Sequence, residues 1–183
     1  MDDQTGFEQQ IQQGLAESAA NRPEAALECF RAAARLRPSD GLPYLLIGSE
    51  HAACGDAQAA EQAFATAIVH APGLHVARYQ LGLLQFSSGR ASIALLSWQP
   101  LLALDAQEPF GHLVQGFIAL TEDRIADALG HWRQGLDRCG ASRALAGDVA
   151  RIIEAVGRLH EGADSSEPPN RHVLVAGYGR VVH

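Results

Sequence analysis

The chain has 183 residues, 47% apolar and 19% charged, the composition of a folded protein rather than a disordered one. That is enough for one substantial core or for a repeat array with a tail. A net charge of −7 sets the surface against nucleic acid and anionic lipid, because phosphate binding needs a basic patch.

The opening segment, Met1 to Gly6, is acidic and polar. It lacks the basic-then-apolar order of a secretory signal, and a cytoplasmic protein is expected. The longest apolar stretches are broken by Gln, Ser, Gly and Arg well short of a membrane span, so no membrane span is expected. Cys29, Cys54 and Cys139 are odd in number and lack metal-type spacing. They are expected to be reduced and buried.

Along the chain, four marks recur with a period of 34 residues. The first is glycine, at Gly14, Gly48, Gly82 and Gly116. The second is alanine, at Ala26, Ala60, Ala94 and Ala128, and the third is aromatic, at Phe30, Phe64, Trp98 and Trp132. Pro38 and Pro72 follow the first two aromatics at one offset. This period is the length of a helix-turn-helix unit. Counting copies over 7–40, 41–74, 75–108 and 109–140, each glycine falls two turns into a first helix and each alanine one turn into a second. Residues this small let antiparallel helices approach closely, and the aromatic fills the space beside them. The prolines end the second helices. Gly55 and Gly89 stand between paired helices, where a positive φ costs glycine little.

On these marks the chain resembles the tetratricopeptide repeat (TPR) family over about residues 7 to 140, with Leu42 to Pro72 matching the pattern best. Departures occur at the early Trp position (Gln10, Tyr44, Arg78, His112) and at the first-helix Tyr position (Glu17, His51, Gln85, Ala119). The resemblance implies an all-α fold: a right-handed superhelical solenoid of four helix-turn-helix repeats. Pro100 lies inside the second helix of repeat 3, where a bend is expected near Ser97 to Leu101. Beyond it, Ser142 is placed to cap a helix within 141–162, which is expected to cover the last core surface of the array. A Pro-containing linker, 163–170, then leads to an extended apolar tail, 171–183.

Catalytic chemistry is not expected. The eight histidines are scattered, and His70 and His75 bracket Pro72 without sharing a helical face; no metal site follows from them. There is no Gly-X-Ser-X-Gly elbow, and without lysine there is no P-loop lysine. The tail's Gly177-Tyr178-Gly179 supplies two glycines of a dinucleotide fingerprint, but the helix and parallel sheet that fingerprint needs have no residues to form from. No cofactor is expected.

The TPR resemblance implies that first helices line a concave groove that binds a peptide or partner segment. The basic carboxylate clamp known in the family is missing: its two groove positions hold Ile11, Leu45, Tyr79 and Leu113, then Leu15, Ser49, Leu83 and Phe117. An apolar partner-binding groove is expected instead, at Leu45, Val76, Tyr79, Leu83, Phe86, Phe110, Leu113 and Phe117. The occupant would be an apolar segment of another protein, making the chain a non-catalytic adaptor or chaperone. The tail offers an alternative occupant. Val173, Leu174, Val175 and Tyr178 are apolar and β-prone, and the tail's only charges are Arg171 and Arg180. It could dock in its own groove, or in a neighbour's to build a homo-oligomer.

Overall fold

A computed structural model of the chain describes residues 2–140 and 143–163. The tail residues Val173, Leu174, Val175 and Tyr178, together with Ser142, lie outside the described residues. The elements in order are α1 (Asp2–Ala19), α2 (Pro23–Leu36), α3 (Gly41–Ala53), α4 (Ala57–His70), α5 (His75–Ser87), α6 (Ala91–Trp98), a 3-10 turn (Gln99–Ala103), α7 (Pro109–Thr121), α8 (Ile125–Arg138) and α9 (Arg143–Ala163). The described residues are all helix and connecting turn. Two compact units, Met1–Leu84 and Gln85–His183, divide within α5.

The periodic marks explain the helix pairing. In the first unit α1 packs on α2, α2 on α3 and α3 on α4. Ala26, Ala60, Ala94 and Ala128 are fully buried, and so in effect are Phe30, Phe64, Trp98 and Trp132. A β-carbon at Gly48 would lie 2.6 Å from two carbons of the Phe64 ring. Only a bare backbone fits there. Around this contact Leu45, Ala60, Phe64, Ala67 and Ala77 form one core, with Val76, Leu81 and Leu84 of α5 packed against it. Phe7, Ile11, Ala26, Phe30 and Ala33 form another, which Leu46 and Ile47 of α3 join. A hydroxyl-to-carboxylate bond from Ser18 to the buried Glu50 links α1 to α3.

The turns inside the helix pairs carry a regularity beyond the two glycines. Gly55 and Gly89 have φ of +80° and +77°, and the residues in the same register, Asn21 and Asp123, have φ of +56° and +57°. After each, the next amide closes the same wide helix-ending loop. Arg22 N donates to Glu17 O, Asp56 N to His51 O, Arg90 N to Gln85 O, and Arg124 N to Ala119 O. These are Schellman-type ends with a left-handed residue at their centre. Asn and Asp are the non-glycine residues that tolerate this conformation best. A β-carbon at Gly55 would meet nothing within 4 Å, so Gly55→Ala isolates the backbone effect. It is expected to cost about 1 kcal/mol, measured by urea unfolding.

The second unit begins with the last turn of α5. Buried Gln85 accepts a 2.7 Å bond from Ser97 of α6. The α-helix stops at Trp98, and the chain continues as the 3-10 turn with Pro100 in its first turn. A proline there gives up an amide that the helix interior would have needed. From this point α7 packs on α6, on the 3-10 turn and on α8, and α9 packs on α8. Leu145, Val149, Ile152 and Val156 form the buried stripe of α9. Its Arg151 pairs with Asp148 in the solvent.

Candidate functional site

The eight residues expected to line a groove divide by burial. Leu45, Tyr79, Phe110, Leu113 and Phe117 are buried, whereas Val76, Leu83 and Phe86 are half-buried. In the second unit the reason is aromatic packing. Phe117 has ring centroids 5.0 Å from Phe86, 4.9 Å from Trp98 and 5.1 Å from Trp132. Offset and edge-on contacts of this kind add to the area that the rings bury. The Trp132 indole donates to Leu113 O at 3.1 Å, which satisfies its N–H inside the core. Leu113 in turn fills the place where Gly135 has no side chain. Phe110, Leu113 and Phe117 are therefore buried in the second unit.

The first unit differs. On its first helices Leu15 is 42% exposed and Leu42 36% exposed, with Ser49 also exposed. Val76 and Leu83, seven residues apart on α5, are half-buried. Ile11 of α1 and Leu45 of α3 are buried, each in one of the two cores described above, which join α1 to α3 and α3 to α5. The first helices of this unit thus carry partly open aliphatic residues and no Lys or Arg at the two clamp positions.

Other polar groups are engaged in holding turns. Tyr44 stacks on His70 with centroids 5.1 Å apart and donates its hydroxyl to Pro38 O at 3.2 Å. His51 lies 3.6 Å from Asp56, whose carboxylate also caps α4 by accepting from Ala59 N. Arg124 binds both Glu122 and Asp127 across the start of α8. Arg138 donates to Ala106 O at 2.9 Å, and the same oxygen lies 3.1 Å from His112 Nε2.

Cys29 and Cys139 are buried, and burial raises both thiol pKa values above the ordinary one, which makes them poor nucleophiles. Cys54 departs from the expectation: it is exposed at the C-terminal end of α3. Among the described residues no three His, Cys, Asp or Glu side chains gather where a metal could be held. No helix of the described residues is long and apolar enough to cross a membrane.

The architecture is a TPR-like helical-repeat fold, and solved structures share it. The crystal structure of MamA matches with a TM-score of 0.58 at 20% identity, covering 72% of this chain and 77% of that one. MamA 41-end from Desulfovibrio magneticus RS-1 gives a TM-score of 0.58 at 16% identity, over 87% of this chain and 97% of that one. YrrB, a TPR protein with an unusual peptide-binding site, gives 0.56 at 18% identity, over 93% and 90%. At these identities the likeness is one of fold. No protein-family model matches the sequence, and no curated protein sequence matches it.

The sequence places Leu15 at a clamp position and Leu42 on the inferred apolar face, but its densest apolar cluster is that of the aromatics of repeats 3 and 4. The aromatic marks themselves carried the missing signal. Trp98 and Trp132 stand where Phe30 and Phe64 stand in the first two pairs, and their larger rings pack against Phe86 and Phe117.

Proposed function

We propose that the chain is a non-catalytic protein-interaction module, an adaptor or chaperone that holds an apolar segment of another protein against the first-helix face of its first unit. The observation that carries the reading is the pairing of exposed Leu15 and Leu42 with half-buried Val76 and Leu83, with Ile11 and Leu45 buried. Aliphatic side chains held part-open by a rigid helical core are suited to accept an apolar anchor with little reordering. The absence of a basic residue at the clamp positions favours an internal apolar segment over a charged C-terminus. YrrB supports peptide binding by this fold.

The test is selection from a library of short peptides by the immobilised full chain. Apolar and amphipathic peptides are expected to be enriched. The double variant Leu15→Asp, Leu42→Asp is expected to bind them at least about tenfold more weakly, with its circular dichroism unchanged because both side chains already meet solvent. Unaltered affinity in that variant, or enrichment of peptides solely through a free carboxylate, would refute the assignment.

A further inference from the structure

One helix of the second unit carries no charged side chain and exposes only Ser92 and Gln99 as polar groups beside its aliphatic ones. From Ala91 to Leu104 the chain has no charged side chain. On the inner side of this stretch Ala94, Trp98 and Leu101 are fully buried. On the outer side Ile93 is 47% exposed, Leu96 71% and Leu102 40%, with Pro100 exposed beside them. The spacing of 93, 96 and 100 puts them on a single helical face. The second helices α2 and α8 turn charges outward, with Glu24, Glu28, Arg31 and Arg35 on α2 and Asp127, Arg133 and Asp137 on α8 exposed, whereas α4 carries only the half-buried Glu61. Exposed aliphatic side chains grouped on one uncharged element mark a contact surface.

We propose that the outer face of α6 and the Gln99–Ala103 turn is covered by the chain's own C-terminal segment, residues 171–183, folding back in cis. Three observations select this occupant. The segment has the matching chemistry: Val173, Leu174, Val175, Ala176, Tyr178, Val181 and Val182 are apolar, and Arg171 and Arg180 are its only charges. Asp105 and Glu108, both exposed, follow the turn directly and offer the opposite sign. Arg138 also lies there, with its guanidinium already given to Ala106 O and Gln134 O. A second copy of the chain, by contrast, would bring another net charge of −7 to the contact, which opposes self-association at long range.

The reach is also sufficient. α9 packs on α8, α8 on α7, and α7 on α6. Three such steps of about 8–10 Å come to about 24–30 Å. Residues 164–173 span up to about 33 Å when extended. The contact uses none of the residues of the proposed peptide-binding face, so the two readings stand or fall separately.

The experiment is methyl-resolved NMR on the full chain, comparing the natural sequence with the tail variant Val173→Asp, Val175→Asp. The methyl signals of Ile93, Leu96 and Leu102 are expected to shift, while those of Leu15 and Leu42 stay in place and light scattering reports a monomer throughout. Reciprocally, Leu96→Asp, at a position already exposed, is expected to speed amide exchange of residues 173–182 at least about tenfold. Three results would overturn the proposal: unchanged methyls at Ile93, Leu96 and Leu102, shifts confined to Leu15 and Leu42, or shifts that appear only in an oligomer.

Discussion

Replacing Phe117 with glutamate is expected to unfold the second unit, not to leave a folded protein that has merely lost a ligand contact. Phe117 is fully buried among Phe86, Trp98 and Trp132, with all three ring centroids within 5.1 Å. Truncating such a ring costs about 3–5 kcal/mol. A carboxylate left in its place would lie among aromatic faces, where an ionised group without a partner costs several kcal/mol more. The sum exceeds about 5 kcal/mol, which reaches the stability of many whole domains. Helix content by circular dichroism should fall near room temperature, whereas Phe117→Leu should keep its helices and lose about 1–2 kcal/mol. If the glutamate variant melts like the natural protein, the aromatic cluster is not the core of this unit, and Phe117 returns to the surface as a candidate contact.

This expectation reverses what the sequence suggests by itself, and the reason is physical. A 34-residue repeat reports which residues are equivalent, and equivalence identifies the helix contacts well. Gly48 against Phe64, Gly116 against Trp132 and the buried alanines all follow from the register. The turns were half legible: Gly55 and Gly89 signal positive φ by being glycine, whereas Asn21 and Asp123 adopt it without that signal. Register alone does not say whether a first-helix position faces solvent or a neighbour. In the first unit position Leu42 is open, while its equivalent in the second unit, Phe110, is only 9% exposed. The difference is a property of the packed unit rather than of any one repeat. The outer face of α6 was legible in principle, because the uncharged run from Ala91 to Leu104 is visible in composition. Its meaning emerged only when Trp98 and Leu101 took the inner side and left Ile93 and Leu96 outside.

Two glycines of one helix pair are expected to respond to the same substitution with opposite sign. Gly116 lies on α7 where a β-carbon would sit 2.7 Å from Cε2 of Trp132 and closer still to other atoms of that ring. The indole cannot yield easily, since its N–H is committed to Leu113 O and its ring packs edge-on with Phe117. Gly116→Ala must therefore part α7 from α8 or tilt the ring, at a net cost of about 1–3 kcal/mol. Gly130 lies on α8 facing no described heavy atom within 4 Å of a β-carbon, and its φ is not in the left-handed region. There alanine only reduces the freedom of the unfolded chain and raises helix propensity, so Gly130→Ala should stabilise by about 0.5–1 kcal/mol. Urea unfolding of the two variants checks both signs. The comparison separates glycine chosen for close approach from glycine that merely occurs in a helix. Should both variants gain stability, the α7–α8 contact has slack that the Gly116–Trp132 geometry excludes. Should both lose it, a partner of α8 outside the described residues occupies the space beside Gly130.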